Sequence, residues 1–308
     1  MNGLVALIDY DSLIYKAVYK IVKIQDIKQK IAQGKTREEL EQWIVDECIN
    51  RLCQMGDKIF ADIEKEPFLM ENGLEIVFCE YFITYGKNSI RRRLVSDYKK
   101  TRRKQPQDKW VNKVRSYLLK SDFAFVHDEW EADDLIHDRA LELGQNGCII
   151  VSIDKDLKQI PGIHFDFYRK PSKEVDQYGN RIQNEMKGLS IVHDYESAYN
   201  FWYQMLIGDG SDNVKGVKGI GPKRAEKILY DLHGCLSGFD DYKETILSEY
   251  KRVYKIFWKY QYDKNYFLLK LGVRDVNKPL RPFISKVIQM YQIRLKRRHN
   301  QNKAVNIK

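Results

Sequence analysis

The chain has 308 residues, which is long for one domain and ordinary for two. Hydrophobic residues make up 43% and charged residues 31%, so the composition is not that of a disordered protein. A net charge of +10 favours a polyanionic partner, either nucleic acid or an anionic membrane surface. The 5 cysteines form neither a CxxC pair nor a disulfide framework, and no apolar run has the ~18 residues of a membrane span. We therefore expect a soluble protein of the cytoplasm.

Short apolar runs alternate with amphipathic segments in the first half of the chain. This alternation is typical of an α/β fold with a mostly parallel central sheet flanked by helices. Continuous apolar runs predict strands at Leu4–Ile8, Leu74–Cys79 and Cys148–Ile153, and a weaker one at Phe123–Val126.

Helical patterns lie between and after these strands. A capping box at Thr36–Glu39 opens a helix that extends to about Ile63, and a second helix, Glu131–Leu143, ends at Gly144. Beyond about residue 190 the strand patterns fade. Four further helices are predicted, at Tyr195–Ile207, Pro222–Leu232, Asp241–Tyr262 and Pro282–Arg298. We therefore expect an α/β body over residues 1–190 and a helical portion over residues 191–308.

An acid directly follows each strong strand: Asp9, Glu80 and Asp154. The carboxyl ends of parallel strands meet at the edge where open α/β sheets bind ligands. Three carboxylates at that edge repel one another unless a cation lies between them. An aspartate after a strand also commonly starts a turn, which explains any one of these acids but not all three together.

Further acids belong to the same pattern. They are Glu131, Asp133 and Asp134 at the start of a helix, Asp156 two residues after Asp154, and Asp209 and Asp212 in a glycine-rich turn. Favourable interaction with a helix N-terminus explains one or two acids, but not three within four residues. The 6 histidines are dispersed, so the predicted site has oxygen ligands and selects Mg²⁺ or Mn²⁺ over zinc. So many acids suit two ions about 4 Å apart.

Two basic elements favour nucleic acid as the partner. The segment Arg91–Lys104 contains eight basic residues in fourteen and includes Tyr98 for base stacking, although such runs are often only solvated helix faces. The segment Gly216–Ala225 combines glycines, which allow close approach to a phosphate, with a helix N-terminus at Pro222. A plain turn between two helices is the alternative there. The predicted DNA contacts are Arg91, Arg92, Lys100, Gly219, Gly221, Lys223 and Arg224.

The last part of the chain is also basic. From Val276 to Lys308 there is no acid, and the stretch includes Arg297 and Arg298. This stretch is either a further contact to the duplex backbone or a loose tail.

Four motifs, in this order, resemble the 5′-nuclease superfamily, which includes flap endonucleases and the 5′→3′ exonucleases of phages and bacterial DNA polymerases. They are Asp9 after the first strand, Glu131–Asp134 (EADD), Ser152–Leu157 (SIDKDL), and Gly208–Asn213 (GDGSDN) running into Gly216–Ala225. The resemblance covers most of residues 1–235.

The resemblance implies a role for each motif. The inner metal cluster corresponds to Asp9, Glu131, Asp133 and Asp154, and the second or outer cluster to Asp134, Asp156, Asp209 and Asp212. Residues of about 208–235 are similar to a helix-three-turn-helix, which holds duplex DNA and often a monovalent cation such as K⁺. Tyr98, Lys99 and Arg102 match the Tyr-Lys-x-x-Arg pattern of an arch or gateway region, about residues 85–120, that steers the scissile phosphate.

One position departs from the family pattern. Cys79 and Glu80 stand where the family usually has an aspartate, and Gly86 indicates an insertion in the loop that follows. Glu80 keeps a carboxylate one methylene further out, so altered metal affinity is an open alternative.

The activity that the resemblance implies is a metal-dependent 5′→3′ exonuclease with structure-selective flap endonuclease activity on DNA, and on the RNA of RNA–DNA hybrids. We expect a free-standing monomer that acts on 5′ ends, flaps or nicks in a bacterial or phage-infected cell. A branched-DNA-binding protein of this fold with weak or no cleavage is the main alternative. A small-molecule phosphatase is another, but it leaves both basic elements without a role.

Overall fold

The structure, a computed structural model, describes residues 2–22, 29–85, 89–102, 104–120, 124–167, 188–233 and 239–272. All of these belong to one compact unit, Met1–Gly272. The predicted helix Pro282–Arg298, the rest of the basic C-terminal stretch, and Gly86 lie outside the described residues. The predicted boundary near residue 190 stays a prediction.

A six-stranded sheet forms the centre of the described unit. Its strands are β1 (Asn2–Asp9), β2 (Leu74–Phe82), β3 (Ala124–Phe125), β4 (Cys148–Val151), β5 (Gly162–Phe165) and β6 (Leu189–Val192). Their order across the sheet is β3-β2-β1-β4-β5-β6; β1 to β5 pair in parallel and β6 pairs antiparallel with β5. The predicted mostly parallel sheet is confirmed, while β5 and β6 were not predicted.

Helices flank the sheet and make up the part of the chain after it. They are α1 (Tyr10–Ile21), α2 (Arg37–Ile63), α3 (Pro67–Glu71), α4 (Ile90–Leu94), α5 (Asp108–Lys120), α6 (Ala132–Leu143), α7 (Asp194–Ile207), α8 (Pro222–His233), α9 (Phe239–Tyr254) and α10 (Trp258–Leu269). Short 3₁₀ turns lie at Lys155–Gln159 and Lys255–Phe257, and a small hairpin joins β7 (Gly208–Asp209) to β8 (Val214–Lys215). Among the described residues, no helix is long and apolar enough to cross a membrane.

Local sequence signals explain several helix ends. The capping box of α2 is confirmed, since the Thr36 hydroxyl accepts from the Glu39 amide at 3.2 Å and the Glu39 carboxylate accepts from the Thr36 amide at 2.8 Å. Gly144 ends α6 with a φ of +75°, a conformation that glycine adopts without steric cost. The single helix predicted over Asp241–Tyr262 is wrong, because the chain turns at Lys255, where φ is +52°.

Two apolar cores hold the unit together. The first packs α1, α2 and α5 against one face of the sheet, with Leu4, Ala6 and Ile8 of β1 at its centre. The second joins α7 to α10 and also includes Tyr98, far away in sequence. The phenol of Tyr98 therefore fixes the basic segment to the helical part of the molecule.

His164 of β5 is buried, and within the described parts of the chain it forms no ion pair. Its Nε2 donates to the Ile160 carbonyl at 2.8 Å, since a carbonyl oxygen only accepts. Burial, helped by the nearby Lys158, lowers the pKa of His164 to about 3. Protonation of this ring is therefore much less favourable in the folded chain than in the unfolded chain.

We expect His164 to make the fold sensitive to acid. Below the ordinary histidine pKa of about 6.5 the unfolded chain takes up a proton that the folded chain does not. The free energy of unfolding then falls by about 1.4 kcal/mol per pH unit, from pH ~6.5 towards pH ~3. Urea denaturation at several pH values should show this slope reduced in His164→Gln. His193→Gln, at an exposed position, is the matched control; an equal slope in all three proteins would contradict the assignment.

Candidate active site

The ends of β1 and β4 bring Asp9 and Asp154 together. These strands are parallel neighbours, with Ile8 opposite Val151, so Asp9 lies beside Ser152. The Ser152 hydroxyl donates to Asp9 at 2.8 Å and accepts from the Asp154 amide at 2.9 Å. One serine thus joins two acids that are 145 residues apart, and the Asp154 carboxylate begins the 3₁₀ turn by accepting from the Asp156 amide at 2.9 Å.

Lys155 connects this pair of acids to the glycine-rich turn. Its ammonium donates to Asp209 at 2.8 Å and lies 3.4 Å from Asp156. The Asp209 carboxylate also accepts from the amide and hydroxyl of Ser211, at 2.7 and 2.6 Å. Burial alone would raise the pKa of Asp209, but Lys155 and Ser211 lower it to about 2. Asp209 is therefore a fixed anion in this structure.

The basic segment lies directly on the acids. The Tyr98 hydroxyl is 3.0 Å from Glu131 and 2.9 Å from Asp212, and the Lys99 ammonium donates to Glu131 at 2.7 Å. Arg102 donates to Asp212 at 2.5 Å. Although Lys99 has an unusual positive φ of 55°, its amide is held by the Asp212 carbonyl at 2.8 Å. The three residues of the Tyr-Lys-x-x-Arg pattern thus contact two of the predicted ligands.

Glu131, Asp133 and Asp134 differ sharply in their surroundings. Burial would raise the pKa of Glu131, but Lys99 and Arg91 lower it to about 2. Asp133, in contrast, has its pKa raised well above the ordinary value by burial and by the neighbouring Asp134. Glu131 is therefore anionic as it stands, whereas the negative charge of Asp133 is poorly compensated.

Several other acids share this poor compensation. Burial, with a neighbouring carboxylate, raises the pKa of Asp9, of Asp154 and of Asp156, the last to about 6. Such shifts mean that the folded chain disfavours these negative charges unless a cation is added. The geometry thus brings together acids from β1, α6, the 3₁₀ turn and the β7–β8 hairpin, in a cluster that favours positive charge.

The sequence itself identifies the family. A family model described as "5'-3' exonuclease, N-terminal resolvase-like domain" matches residues 4–187, which is more than half of the chain. The chain belongs to the 5′-3′ exonuclease family.

Several bacterial members of the 5′-3′ exonuclease family are similar in sequence to this chain. The chain is 32% identical over 145 residues to flap endonuclease Xni of Shewanella sediminis, and the match covers 46% of this chain and 54% of the relative. It is 30% identical over 190 residues to flap endonuclease Xni of Shewanella frigidimarina, covering 56% and 68%. It is 34% identical over 149 residues to a 5'-3' exonuclease of Mycoplasma pneumoniae, covering 46% and 49%. The matches thus span about half to two thirds of these relatives.

Among solved structures, a mutant T5 5'-exonuclease is similar over 87% of both chains. The sequence identity is 14% and the TM-score is 0.45.

Glu80 lies in different surroundings from the other acids, and its role as a metal ligand stays a prediction. Strand β2 continues to Phe82, two residues beyond Glu80, and the side chain of Glu80 is only 1% exposed. Both carboxylate oxygens accept from Arg139 of α6, at 2.8 and 2.9 Å. The Glu80–Arg139 pair fastens α6 to the sheet.

Asp134, a predicted metal ligand, and Arg91, a predicted DNA contact, pair with each other in the structure, and both roles stay predictions. The Arg91 guanidinium forms two hydrogen bonds of 2.6 Å to Asp134, and both side chains are at least 98% buried. The Gly272 amide also donates to Asp134, at 3.0 Å. This fork-to-fork pair holds the start of α6 and of the basic segment together, away from solvent.

The other predicted DNA contacts lie where a polyanion can reach them. Lys100, Gly219, Gly221, Lys223 and Arg224 are exposed, and Arg92 is half-buried. Gly219 has a φ of +81° and precedes the N-terminus of α8, so the turn places backbone amides near Lys223. Nothing in this geometry tests DNA contact itself, and these roles stay predictions.

Several site residues were not predicted from the sequence. Ser152 and Lys155 stand inside a predicted motif but were given no role, although they join Asp9 to Asp154 and Asp156 to Asp209. Arg115, from the unpredicted helix α5, donates to Asp11 at 2.7 and 3.0 Å. Ser152 and Lys155 could have been found from the sequence, because each stands next to a predicted acid. The Asp11–Arg115 contact joins residues 104 positions apart, and no sequence pattern indicates it.

The donor chemistry fits a hard divalent cation. Carboxylates of Asp9, Glu131, Asp133, Asp154 and Asp156 supply only oxygen, and the raised pKa values show that added positive charge is favourable. Among the described residues, no three Asp, Glu, His or Cys side chains stand as closely as in a formed metal site. Lys99 and Lys155 lie between the carboxylates instead.

We expect Arg91→Ala to destabilise the fold strongly. Removing the guanidinium leaves the buried Asp134 without its partner, which costs about 3–5 kcal/mol of the free energy of unfolding. Arg93→Ala is the matched control, because Arg93 pairs with Glu129 at an exposed position and such pairs contribute about 0–1 kcal/mol. Guanidinium denaturation measures both. Equal losses, or a loss of DNA binding by stably folded Arg91→Ala, would contradict the structural role.

Proposed function

We propose that this protein is a divalent-metal-dependent 5′→3′ exonuclease with flap endonuclease activity on DNA. The supporting observation is that acids from four separate segments form one connected cluster, on which Tyr98, Lys99 and Arg102 lie directly. Membership of the 5′-3′ exonuclease family and the relatives named flap endonuclease point to the same chemistry. DNA with 5′ ends, flaps or nicks is the proposed substrate, and the RNA of an RNA–DNA hybrid is a second one.

The acids would hold one or two Mg²⁺ or Mn²⁺ ions. Asp9, Glu131, Asp133 and Asp154 are the proposed inner ligands, and Asp156, Asp209 and Asp212 the outer ones. When bound, such ions acidify water and stabilise negative charge that develops on a phosphodiester. Ser152 would keep the Asp9 carboxylate in a fixed orientation towards them, and the Asp156 amide would do the same for the Asp154 carboxylate.

Lys99 and Arg102 are the proposed contacts to the scissile phosphate. Both are held at carboxylates in this structure, Lys99 at Glu131 and Arg102 at Asp212. A phosphate at the cluster would offer each cation a second anionic partner within reach of its present position. Charge that develops on the phosphate would then be stabilised by two pre-positioned donors.

Tyr98 has a positioning role in this proposal. Its ring lies in the second core and its hydroxyl contacts Glu131 and Asp212. Burial first, and then these two carboxylates, raise the pKa of Tyr98 well above its usual value, so the phenol stays protonated. Tyr98 therefore keeps Lys99 and Arg102 at the acids rather than taking part in proton transfer.

Duplex DNA is proposed to bind at the turn before α8. Exposed Lys223 and Arg224 follow Gly219 and Gly221 there, so backbone amides and two cations lie side by side. The monovalent cation that the resemblance implies for this turn, and the monomeric state, stay predictions.

A DNA-binding protein without cleavage is the second candidate. The observation that favours it is the Glu80–Arg139 pair, because the Glu80 carboxylate is held by a cation at 2.8 Å. The decisive difference is metal-dependent product formation, since a binding protein needs no intact cluster.

We expect Asp154→Asn to lose cleavage and keep DNA binding. The change removes one negative charge at the centre of the cluster, so the rate with Mg²⁺ should fall by about 100- to 1,000-fold. Cleavage of a 5′-labelled flap and gel-shift binding in EDTA measure the two properties. Asp128→Asn, an exposed acid before α6, is the matched control and should cleave normally. Full activity of Asp154→Asn would refute the metal site, and absence of product from the native protein would favour the binding protein.

Lys99→Ala should slow cleavage far more than it weakens binding. Loss of a donor that acts on developing charge lowers kcat by about 100-fold, whereas loss of one phosphate contact weakens binding by less than about tenfold. Lys259→Ala is the matched control, because Lys259 is exposed and pairs with Asp263 on α10. Single-turnover cleavage and duplex affinity should be measured on each variant. Equal losses of kcat and affinity would make Lys99 an ordinary phosphate contact.

A further inference from the structure

A groove runs between α7 and α8, separate from the acidic cluster. Its cavity has a volume of about 520 Å³ and is lined by Tyr199, Lys223, Glu226, Lys227 and Tyr230. Tyr199 comes from α7 and the other four residues come from α8. A volume of this size falls within the range of small-molecule binding clefts, so it has room for a single nucleotide unit.

The spacing along α8 explains why these side chains share one face. Lys223, Lys227 and Tyr230 stand at positions i, i+4 and i+7 of the helix. The Tyr230 side chain is 75% exposed, so one of its ring faces is open to a ligand. On the opposite wall, Tyr199 stacks on Tyr203 with ring centroids 5.8 Å apart. The groove therefore has an aromatic ring on each helix.

The charges of the groove suit a polyanion that also carries hydrogen-bond donors. Within the described parts of the chain, neither Lys223 nor Lys227 forms an ion pair. Their ammonium groups are therefore available to phosphates at the rim. Glu226 lies between them, and its carboxylate only accepts hydrogen bonds. It therefore suits the exocyclic amino groups of nucleobases, while its negative charge repels a phosphate deep in the groove.

We propose that this groove binds an unpaired nucleotide of a single strand, with the base between the tyrosine rings and the phosphates at the two lysines. The inference rests on the proposed nuclease function and adds a single-strand contact next to the duplex contacts, with which it shares Lys223. Unpaired bases expose the π-faces that stack on aromatic side chains, whereas a duplex hides them. A free phosphate ion would leave both tyrosines unused.

The test measures single-strand affinity without cleavage. Anisotropy of a labelled oligo(dC), with EDTA present, should show about tenfold weaker binding by Tyr230→Ala and nearly native binding by Tyr230→Phe. Tyr260→Ala is the matched control, because Tyr260 is 69% exposed on α10 and outside the groove. Native affinity of Tyr230→Ala, or an equal loss in Tyr260→Ala, would overturn the proposal.

Lys227→Ala tests the phosphate contacts separately. The slope of log affinity against log salt for the single strand should fall by about 0.7, while the slope for blunt duplex stays unchanged. A larger loss for duplex than for single strand would make the groove a duplex contact and overturn the proposal.

If native protein cleaves nothing but Tyr230→Ala still weakens single-strand binding, the nuclease proposal fails and the groove stands. If Tyr230→Ala binds normally and Asp154→Asn alone loses cleavage, only the groove fails.

Discussion

Mutual repulsion of buried carboxylates at one edge of the sheet is the constraint on which the rest of this structure depends. The ends of β1 and β4 are parallel neighbours, and Ser152 links the Asp9 carboxylate to the Asp154 amide, so these two acids are held near each other. Negative charge that is desolvated and closely spaced must be compensated or neutralised. The chain supplies Lys99 and Lys155 to the cluster, yet the pKa values of Asp9, Asp133 and Asp154 are still raised, first of all by burial. The remaining imbalance is what the proposed divalent cations would relieve.

Tyr98 links the basic segment both to an apolar core and to the acidic cluster. Its ring packs in the core formed by α7 to α10, and its hydroxyl reaches the acids. Lys99 follows at once in a left-handed backbone conformation, which costs free energy for a residue other than glycine. The hydrogen bond from its amide to the Asp212 carbonyl helps to offset that cost. The position of the ammonium is therefore determined by the fold of the helical part as well as by the attraction of Glu131.

Sequence patterns predicted the strands and the acids that follow them, but they did not show which charged side chains are buried. Continuous apolar runs located β1, β2 and β4, and carboxylates after two of them, Asp9 and Asp154, do meet. The same rule did not reveal the buried position of Glu80, because an apolar run does not show that β2 continues through it to Phe82. Arg91 looks like its neighbours Arg92 and Arg93 in sequence. Only the three-dimensional arrangement distinguishes a buried partner of Asp134 from a side chain that faces solvent.

The end of β2 shows how the family departure is accommodated. Here β2 continues through Glu80 to Phe82, and Thr84 follows shortly after it. The Thr84 amide donates to Asp11 at 3.0 Å, and the Thr84 hydroxyl accepts from the Ala132 amide at 3.0 Å. Arg115 pairs with Asp11 at 2.7 Å and balances the charge of that carboxylate. The start of α6, and with it Glu131, is thus fixed by ordinary hydrogen bonds and the Arg91–Asp134 pair. Arg91 also donates to Glu131 at 3.4 Å and lies 3.9 Å from Asp133, so the frame that places the acids contacts two of the proposed inner ligands directly.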